Sequence, residues 1–341
     1  MKTIMIHEPG KVELITREMP KRKSDEALLK ILYGGICGSD LGTYRGSFAY
    51  ASYPRIPGHE FSAEIMEIDE NEFGLKKGMI VTCNPYFNCK TCYSCQRGLL
   101  NCCEHNETMG AQRDGAFSQY ITMPLERIYD GKGLSAKRLA LIEPFCISYH
   151  GVSRAHVGAG DKVLVIGAGT IGVLAAIASK AAGATVYIAD VAEKKMTYAI
   201  EKFHLDGGIL NETSEGFLNK VNEITLGKGF DVTIEAVGLP DTFQNCIDAA
   251  AFGARVVQIG VGKKNVDFNF TLLQKKELNV FGSRNALKKD FLELIELLRT
   301  EKVNIDEVVT DVYSLDNADK AFEDFSKNAA SMLKVMIDFG D

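Results

Sequence analysis

The chain has 341 residues, of which 46% are hydrophobic and 25% charged, a balance typical of globular proteins. Lys and Arg number 39 and Asp and Glu number 45, so the formal net charge is −6, and no basic run is present. A mildly acidic chain of this kind is a poor binder of nucleic acid or of membrane surfaces. The length favours two domains.

No segment suggests a membrane destination. Residues 1–8 lack a cationic region followed by a long apolar stretch, so we expect no signal peptide. The most apolar run, residues 163–178, contains three glycines and is shorter than a bilayer span. We therefore expect a cytoplasmic protein that does not contact membranes.

Short apolar runs broken by glycine and proline dominate the first part of the chain, up to about residue 147. Residues 27–32, 60–68 and 79–82 are predicted strands of a compact, mostly antiparallel β domain. After residue 151 the pattern changes to strands that alternate with helices, which indicates a parallel, doubly wound sheet. Its predicted strands are residues 162–166, 185–189, 231–236, 255–259 and 278–281.

The alternation stops after residue 284. A helix is predicted over residues 289–300, a shorter helix near residues 318–327 and a strand over residues 333–339. We interpret this tail as a return to the first domain.

A glycine-rich motif follows the strand predicted over residues 162–166. Gly167, Gly169 and Gly172 match the dinucleotide-binding pattern, and an Ala-rich helix comes next. These glycines would allow a tight turn, a close approach to a pyrophosphate, and close packing of the helix on the strand. Asp190 ends the next strand, where a carboxylate accepts hydrogen bonds from the adenosine ribose hydroxyls and repels the extra phosphate of NADP, so NAD is the predicted cofactor.

Five of the nine cysteines lie between Cys89 and Cys103. Cys89, Cys92, Cys95 and Cys103 offer four thiolates on one loop, which suits a tetrahedral structural zinc, and the adjacent Cys102 competes for the fourth place. A second, more dispersed set can hold a catalytic zinc.

The second set contains a thiolate at Cys37, an imidazole at His59 and a carboxylate at Glu143. Three protein ligands of these types leave the fourth position of a zinc ion open for water or an alcohol. Ser39 can relay a proton, and Asp40 can orient His59. Each residue also has a structural interpretation: a small core residue for Cys37, a structural histidine for His59 and a surface carboxylate for Glu60.

These motifs, together with the segment 114–120, occur in the order found in the zinc-containing medium-chain alcohol dehydrogenases, and the chain resembles that family over essentially its whole length. The resemblance implies an α/β protein with a GroES-like catalytic domain (residues 1–147 and 285–341) and a Rossmann NAD-binding domain (residues 148–284). It also implies two zinc ions per chain, NAD, and a homodimer or homotetramer.

Glu143-Pro144 resembles the polyol and sugar-acid branch of that family. The classical alcohol dehydrogenases have a cysteine at the position of Glu143. The resemblance implies a catalytic zinc held by Cys37, His59 and Glu60, with Glu143 beside it or exchanging with Glu60. Ser283 and Arg284 match a segment that reaches cofactor and substrate, and an interdomain salt bridge is an equal alternative for Arg284. The predicted cofactor-binding residues are Gly167, Gly169, Thr170, Ile171, Gly172, Asp190, Lys195, Val237, Gly260, Ser283 and Arg284.

The chain departs from its relatives at Gly42, where they often carry a histidine that completes the proton path. Water or Tyr44 takes its place, or the path ends at Ser39. The expected activity is zinc-dependent oxidation of a secondary alcohol of a polyol or sugar acid by NAD, as in sorbitol or L-iditol 2-dehydrogenase. L-Gulonate 5-dehydrogenase and L-threonine 3-dehydrogenase are alternatives, and a non-catalytic NAD-binding regulatory protein is the alternative from another class.

Overall fold

The structure, a computed structural model, describes residues 1–48 and 50–340. The chain divides into two compact units. The first contains residues 1–143, residues 287–301 and the stretch from residue 305 onward, and the second contains residues 144–286 and 302–304. The domain limits predicted from the sequence stay a prediction, and residue 341 at the end of the segment 285–341 lies outside the described residues.

The strands and helices are numbered in chain order through the described residues. The strands are β1 (Lys2–Glu8), β2 (Lys11–Thr16), β3 (Glu26–Ile36), β4 (Glu60–Glu67), β5 (Ile80–Cys83), β6 (Tyr86–Phe87), β7 (Glu107–Thr108), β8 (Tyr120–Pro124), β9 (Ile128–Asp130), β10 (Lys162–Ile166), β11 (Thr185–Asp190), β12 (Gly207–Leu210), β13 (Phe230–Glu235), β14 (Ala250–Gln258), β15 (Asn279–Gly282), β16 (Val309–Ser314) and β17 (Lys334–Asp338). The helices are α1 (Gly38–Tyr44), α2 (Tyr93–Gln96), α3 (Ala136–Ala140), α4 (Ile142–Arg154), α5 (Thr170–Ala181), α6 (Glu193–Phe203), α7 (Ser214–Thr225), α8 (Pro240–Ala249), α9 (Thr271–Lys275), α10 (Lys288–Arg299) and α11 (Ala318–Asn328).

The first unit is built on a seven-stranded sheet with the order β16-β17-β3-β4-β5-β9, to which β8 adds by pairing with β3. All of these pairs are antiparallel except β16–β17. Strand β17 comes from the end of the chain and pairs with β3 in the same sheet. The apolar faces of these strands pack around a core that includes Ile31, Phe61 and Phe322.

The second unit contains a six-stranded parallel sheet with the order β12-β11-β10-β13-β14-β15. The strand order reverses between β10 and β13, so the two halves diverge there and leave a crevice at the carboxyl ends of the strands, the usual ligand site of such sheets. Strand β10 is fully apolar from Val163 onward because helices cover both faces of a parallel sheet. The predicted doubly wound α/β fold is confirmed.

The elements absent from the sequence-based prediction include the β1–β2 hairpin and strand β12. Strands β1 and β2 form a hairpin around Pro9 and Gly10, where Gly10 adopts a φ of +80° that favours glycine. Strand β12 begins with two glycines, which weaken the strand pattern of its four residues. None of the helices in the described part of the chain combines the length and apolar character that a membrane crossing requires.

Candidate active site

Three neighbouring strands of the first unit carry the candidate metal site. Cys37 follows β3 and caps the N-terminus of α1, while Glu60 is the first residue of β4 and lies opposite Gly35 of β3. On the other side of β3, Val335 of β17 lies opposite Ile36, which puts Lys334 next to the same point of the sheet. Residues far apart in sequence thus meet because the register of three strands aligns them.

The sulfur of Cys37, a ring nitrogen of His59 and a carboxylate oxygen of Glu60 all lie within 4.8 Å of one another. His59 is 6% exposed and Glu60 is 1% exposed. A thiolate, an imidazole and a carboxylate are donor types found in zinc sites that keep an open position. The donor set therefore fits a catalytic zinc, and it brings together three of the four predicted ligands. Their role as ligands stays a prediction.

Asp40 anchors the peptide segments on both sides of this site. Its carboxylate accepts hydrogen bonds from the backbone N–H groups of Cys37 (2.9 Å) and Gly58 (3.2 Å). Its Oδ1 lies 4.0 Å from Nδ1 of His59, a buried nitrogen without a hydrogen bond among the described residues. This leaves Nε2 as the nitrogen of His59 that faces Cys37. Asp40 lies beside the other ring nitrogen, which is the position expected of a residue that orients a metal-binding imidazole.

Negatively charged groups surround His59. Burial alone would lower the pKa of His59, but the nearby Cys37 and Asp40 raise it well above its usual value. Burial raises the pKa of Asp40 despite the neighbouring His59. These shifts show that the site concentrates negative charge, which favours a bound cation.

Lys334 is a site residue that the sequence did not reveal. Its Nζ lies 2.5 Å from Oε2 of Glu60 and donates to the carbonyl of Ile36 at 3.1 Å. Lys334 is 2% exposed, and its pKa is raised because Glu60 and Cys37 outweigh the effect of burial. A Cβ at Gly35 would overlap the Glu60 carboxylate, so the glycine before the Cys37 motif makes room for this ion pair.

Glu143 has a different anchor. It is 3% exposed, lies in the first turn of α4, and accepts a hydrogen bond at Oε1 from the hydroxyl of Tyr86. Burial raises the pKa of Glu143 to about 7, although His59 counteracts the shift. Glu143 does not belong to the group formed by Cys37, His59 and Glu60. Tyr86 is a second residue that the sequence did not reveal.

The position of the missing relay histidine is filled by another residue. A Cβ at Gly42 would lie 3.2 Å from Cβ of Phe48, and the backbone N–H of Phe48 donates to the Gly42 carbonyl at 3.1 Å. The ring of Tyr44 packs on Phe322, with 5.7 Å between the ring centroids. Tyr44 therefore faces the core, which leaves Ser39 and water as the alternatives for the proton path.

The cysteine loop forms a separate group in the first unit. The sulfurs of the four predicted cysteines, Cys89, Cys92, Cys95 and Cys103, lie within 4.8 Å of one another, while Cys102 is not part of the group. Hydrogen bonds from Thr91 lower the pKa of the Cys89 thiol to about 5, and a backbone hydrogen bond from Glu104 lowers the pKa of Cys92. A lowered pKa favours the thiolate form of Cys89 and Cys92, the form that binds zinc. Burial raises the pKa of Cys95 to about 12.

In the second unit, the candidate cofactor residues gather at the carboxyl ends of the parallel strands. Gly167 follows β10, Asp190 ends β11, Val237 follows β13, Gly260 follows β14, and Ser283 with Arg284 follows β15. Thr170, Ile171 and Gly172 form the first turn of α5, and Lys195 lies in α6, where burial lowers its pKa. These positions surround the edge where doubly wound sheets bind dinucleotides.

The glycine motif shows why each glycine is needed. Gly167 adopts a φ of +110°, and a Cβ at Gly172 would overlap the Gly167 carbonyl. A Cβ added at Gly169 would meet no atom within 4 Å, so the backbone there is open to a ligand. The Asp190 carboxylate accepts from the N–H groups of Ala168 (2.6 Å) and Ala192 (2.8 Å), which fixes it beside the glycine turn.

Both parts of the chain match known protein families. The alcohol dehydrogenase GroES-like domain matches residues 23–132, and the zinc-binding dehydrogenase family matches residues 170–300. The chain is 34% identical to L-galactonate-5-dehydrogenase of Escherichia coli K12 over 99% of both chains. It is 31% identical to sorbitol dehydrogenase of Halalkalibacterium halodurans, with 97% of this chain and 96% of the relative covered.

A solved structure of a short chain alcohol dehydrogenase from Escherichia coli CFT073, complexed with cofactor NADH, matches with a TM-score of 0.90. The two proteins are 28% identical, and the match covers 99% of each chain. The chain therefore belongs to the zinc-type medium-chain dehydrogenases, in their polyol and sugar-acid branch. The predicted family, fold class and enzyme class are confirmed.

Replacing Lys334 by methionine should destabilise the protein strongly because it leaves the Glu60 carboxylate buried without its counter-charge. Loss of one partner of a buried pair costs about 3–5 kcal/mol. We expect the thermal unfolding midpoint of metal-free Lys334→Met to fall accordingly, and the double variant with Glu60→Gln to recover much of the loss.

A matched control for this prediction is Lys2→Met. Lys2 also lies 2.5 Å from a carboxylate, that of Asp316, but both side chains are more than half exposed. Exposed pairs contribute about 0–1 kcal/mol, so this variant should melt close to the wild type. Equal midpoints for the two single variants would contradict the assignment of a buried charge pair.

Proposed function

We propose that this enzyme oxidises the secondary alcohol of a polyol or sugar acid with NAD, in the manner of an L-iditol or sorbitol 2-dehydrogenase. The observation that carries the proposal is the group of the half-buried Cys37 with the buried His59 and Glu60, whose donor atoms lie within 4.8 Å of one another. We propose that these three residues hold the catalytic zinc, with Glu143 beside it. The similarity to L-galactonate-5-dehydrogenase and sorbitol dehydrogenase supports a polyhydroxylated substrate.

A second zinc is proposed at Cys89, Cys92, Cys95 and Cys103. Four thiolates close the coordination shell, so this site stabilises the loop and takes no part in the reaction. In the catalytic site the three donors leave one coordination position open for the substrate. A zinc ion needs such an open position to take part in a reaction.

The reaction removes a hydride and a proton from the alcohol to give a carbonyl compound. When bound, zinc polarises the alcohol oxygen as a Lewis acid and NAD accepts the hydride. Ser39 receives the proton at Oγ and passes it to water, because Gly42 carries no side chain and Tyr44 faces the core. Asp40 holds the segments of Cys37 and His59, and Lys334 pairs with the Glu60 carboxylate.

NAD rather than NADP is proposed as the cofactor. The Asp190 carboxylate is fixed beside the glycine turn, where it accepts hydrogen bonds from ribose hydroxyls and repels an added phosphate. The two residues that follow, Val191 and Ala192, carry no positive charge to reverse this preference. A homodimer or homotetramer in the cytoplasm, as the family resemblance implies, completes the proposal.

Metal analysis tests the two sites separately. We expect two zinc ions per chain in the wild type, and one in each of the variants Cys37→Ser and Cys92→Ser. Cys37→Ser should abolish turnover while NAD binding, followed by fluorescence titration, stays close to the wild type, since the cofactor residues lie in the other unit. Full activity of Cys37→Ser would remove this residue from the mechanism.

The substrate class is tested by measuring NADH formation with sorbitol, L-iditol, L-galactonate, L-gulonate and L-threonine. We expect turnover with a polyol or an aldonate. Turnover with threonine alone would reassign the enzyme to the threonine dehydrogenases. Absence of turnover across a broad alcohol panel, in a protein that holds two zinc ions and NAD, would favour a regulatory NAD-binding role.

Replacing Asp190 by alanine should change the cofactor preference. The variant loses hydrogen bonds to the ribose and a repulsive charge, so the ratio of kcat/KM for NAD over that for NADP should fall about tenfold or more. An unchanged ratio would refute the assignment of Asp190 to the ribose.

A further inference from the structure

Two buried carboxylates, Glu60 and Glu143, belong to the predicted ligands of the catalytic zinc, and they are held in different ways. Glu60 pairs through Oε2 with the ammonium group of Lys334 at 2.5 Å. Glu143 accepts a hydrogen bond at Oε1 from the neutral phenol of Tyr86. Glu60 belongs to the compact group with Cys37 and His59, whereas Glu143 does not.

The segment around Tyr86 is held by several hydrogen bonds. Its side chain is buried, its backbone N–H donates to Oδ1 of Asn84 at 2.9 Å, and its carbonyl accepts from the buried guanidinium of Arg127. The ring of the next residue, Phe87, lies 4.4 Å from the same guanidinium. The phenol is therefore a fixed point to which the Glu143 carboxylate is tied.

A carboxylate next to a buried divalent cation will bind it unless something holds the carboxylate elsewhere. Glu143 is buried in the first turn of α4, its Oε1 accepts the hydrogen bond of Tyr86, and its charge interacts with those of His59 and Glu60. If Glu143 joined Cys37, His59 and Glu60, the zinc would have four protein ligands, the closed arrangement of structural sites. An alcohol would then have no position to enter.

We propose that Tyr86 is a positioning residue that holds Glu143 off the metal and thereby keeps the fourth coordination position open for the substrate. The proposal rests on the zinc site of the proposed function. In this role Tyr86 acts through the Glu143 carboxylate.

The test uses the full-length protein with Co²⁺ in place of Zn²⁺, because the visible spectrum of cobalt reports its coordination. Imidazole, a small neutral ligand, serves as the probe of the open position. In the wild type we expect imidazole to change the spectrum of one of two cobalt ions, since the four-thiolate site is closed. In Tyr86→Phe the freed Glu143 should occupy the position, so imidazole should bind about tenfold more weakly or worse.

Tyr313→Phe is the matched control. Tyr313 also donates its phenol to a carboxylate, Oδ2 of Asp324 at 2.9 Å, in the same unit but outside the metal group. This variant should bind imidazole as the wild type does. Equal imidazole affinity in Tyr86→Phe and Tyr313→Phe, or a wild-type cobalt spectrum that imidazole does not change, would overturn the proposal.

Glu143→Gln shows whether the effect runs through the carboxylate. The double variant Tyr86→Phe/Glu143→Gln should bind imidazole as Glu143→Gln alone does, because residues that act as a unit are not additive. A defect of Tyr86→Phe that persists in the double variant would reject this route. Glu143→Gln itself should retain both cobalt ions, which keeps the proposal testable even if Tyr86→Phe does not fold.

The outcomes separate this inference from the proposed function. A wild-type protein that binds cobalt only at the four-thiolate site has no catalytic metal, and the proposed function fails. A protein that binds two cobalt ions but loses one in Glu143→Gln needs Glu143 as a ligand, and only the role of Tyr86 fails.

Discussion

Lys334 and Glu60 form an ion pair with almost no access to water, and much of the first unit is arranged to make that possible. Burying either charge alone would cost several kcal/mol, so the two side chains must meet with good geometry. Gly35 gives the space, the carbonyl of Ile36 takes a second hydrogen bond from Lys334, and the pairing of β17 with β3 brings the end of the chain to the site. The tail therefore completes the site as well as the sheet.

The ion pair also explains why the site can gather so much negative charge. Cys37, Asp40, Glu60 and Glu143 converge within a region that includes one fixed ammonium group. Each carboxylate has its own donor: two backbone N–H groups for Asp40, Lys334 for Glu60 and Tyr86 for Glu143. The remaining negative charge favours a divalent cation at the point where Cys37, His59 and Glu60 meet.

The parts that the sequence could predict are local. Four cysteines on one loop and three glycines between a strand and a helix fix their neighbours by spacing alone, so the cysteine group and the cofactor edge appear where the patterns place them. Lys334 and Tyr86 carry no such pattern. Their importance depends on the register of β17 against β3 and on the position of β6, and neither can be read from one sequence. Gly42 shows the same limit, because only the structure places Phe48 over it.

The two candidate metal groups differ in how their donors are held, and this difference agrees with their proposed roles. Around the cysteine loop, local hydrogen bonds lower the pKa of Cys89 and Cys92, and four sulfurs of one kind converge so that they can close the shell of a metal ion. Around Cys37 and His59, the donors differ in type and have separate partners: Asp40 accepts from the backbone at Cys37 and Gly58, and Lys334 pairs with Glu60. The Glu143 carboxylate accepts a hydrogen bond from Tyr86 and lies outside the group. A sugar acid would add a negative charge to a region already rich in carboxylates, so its recognition requires a cation outside this group, whereas a neutral polyol requires none. The choice between these two substrate classes therefore depends on residues beyond the metal group.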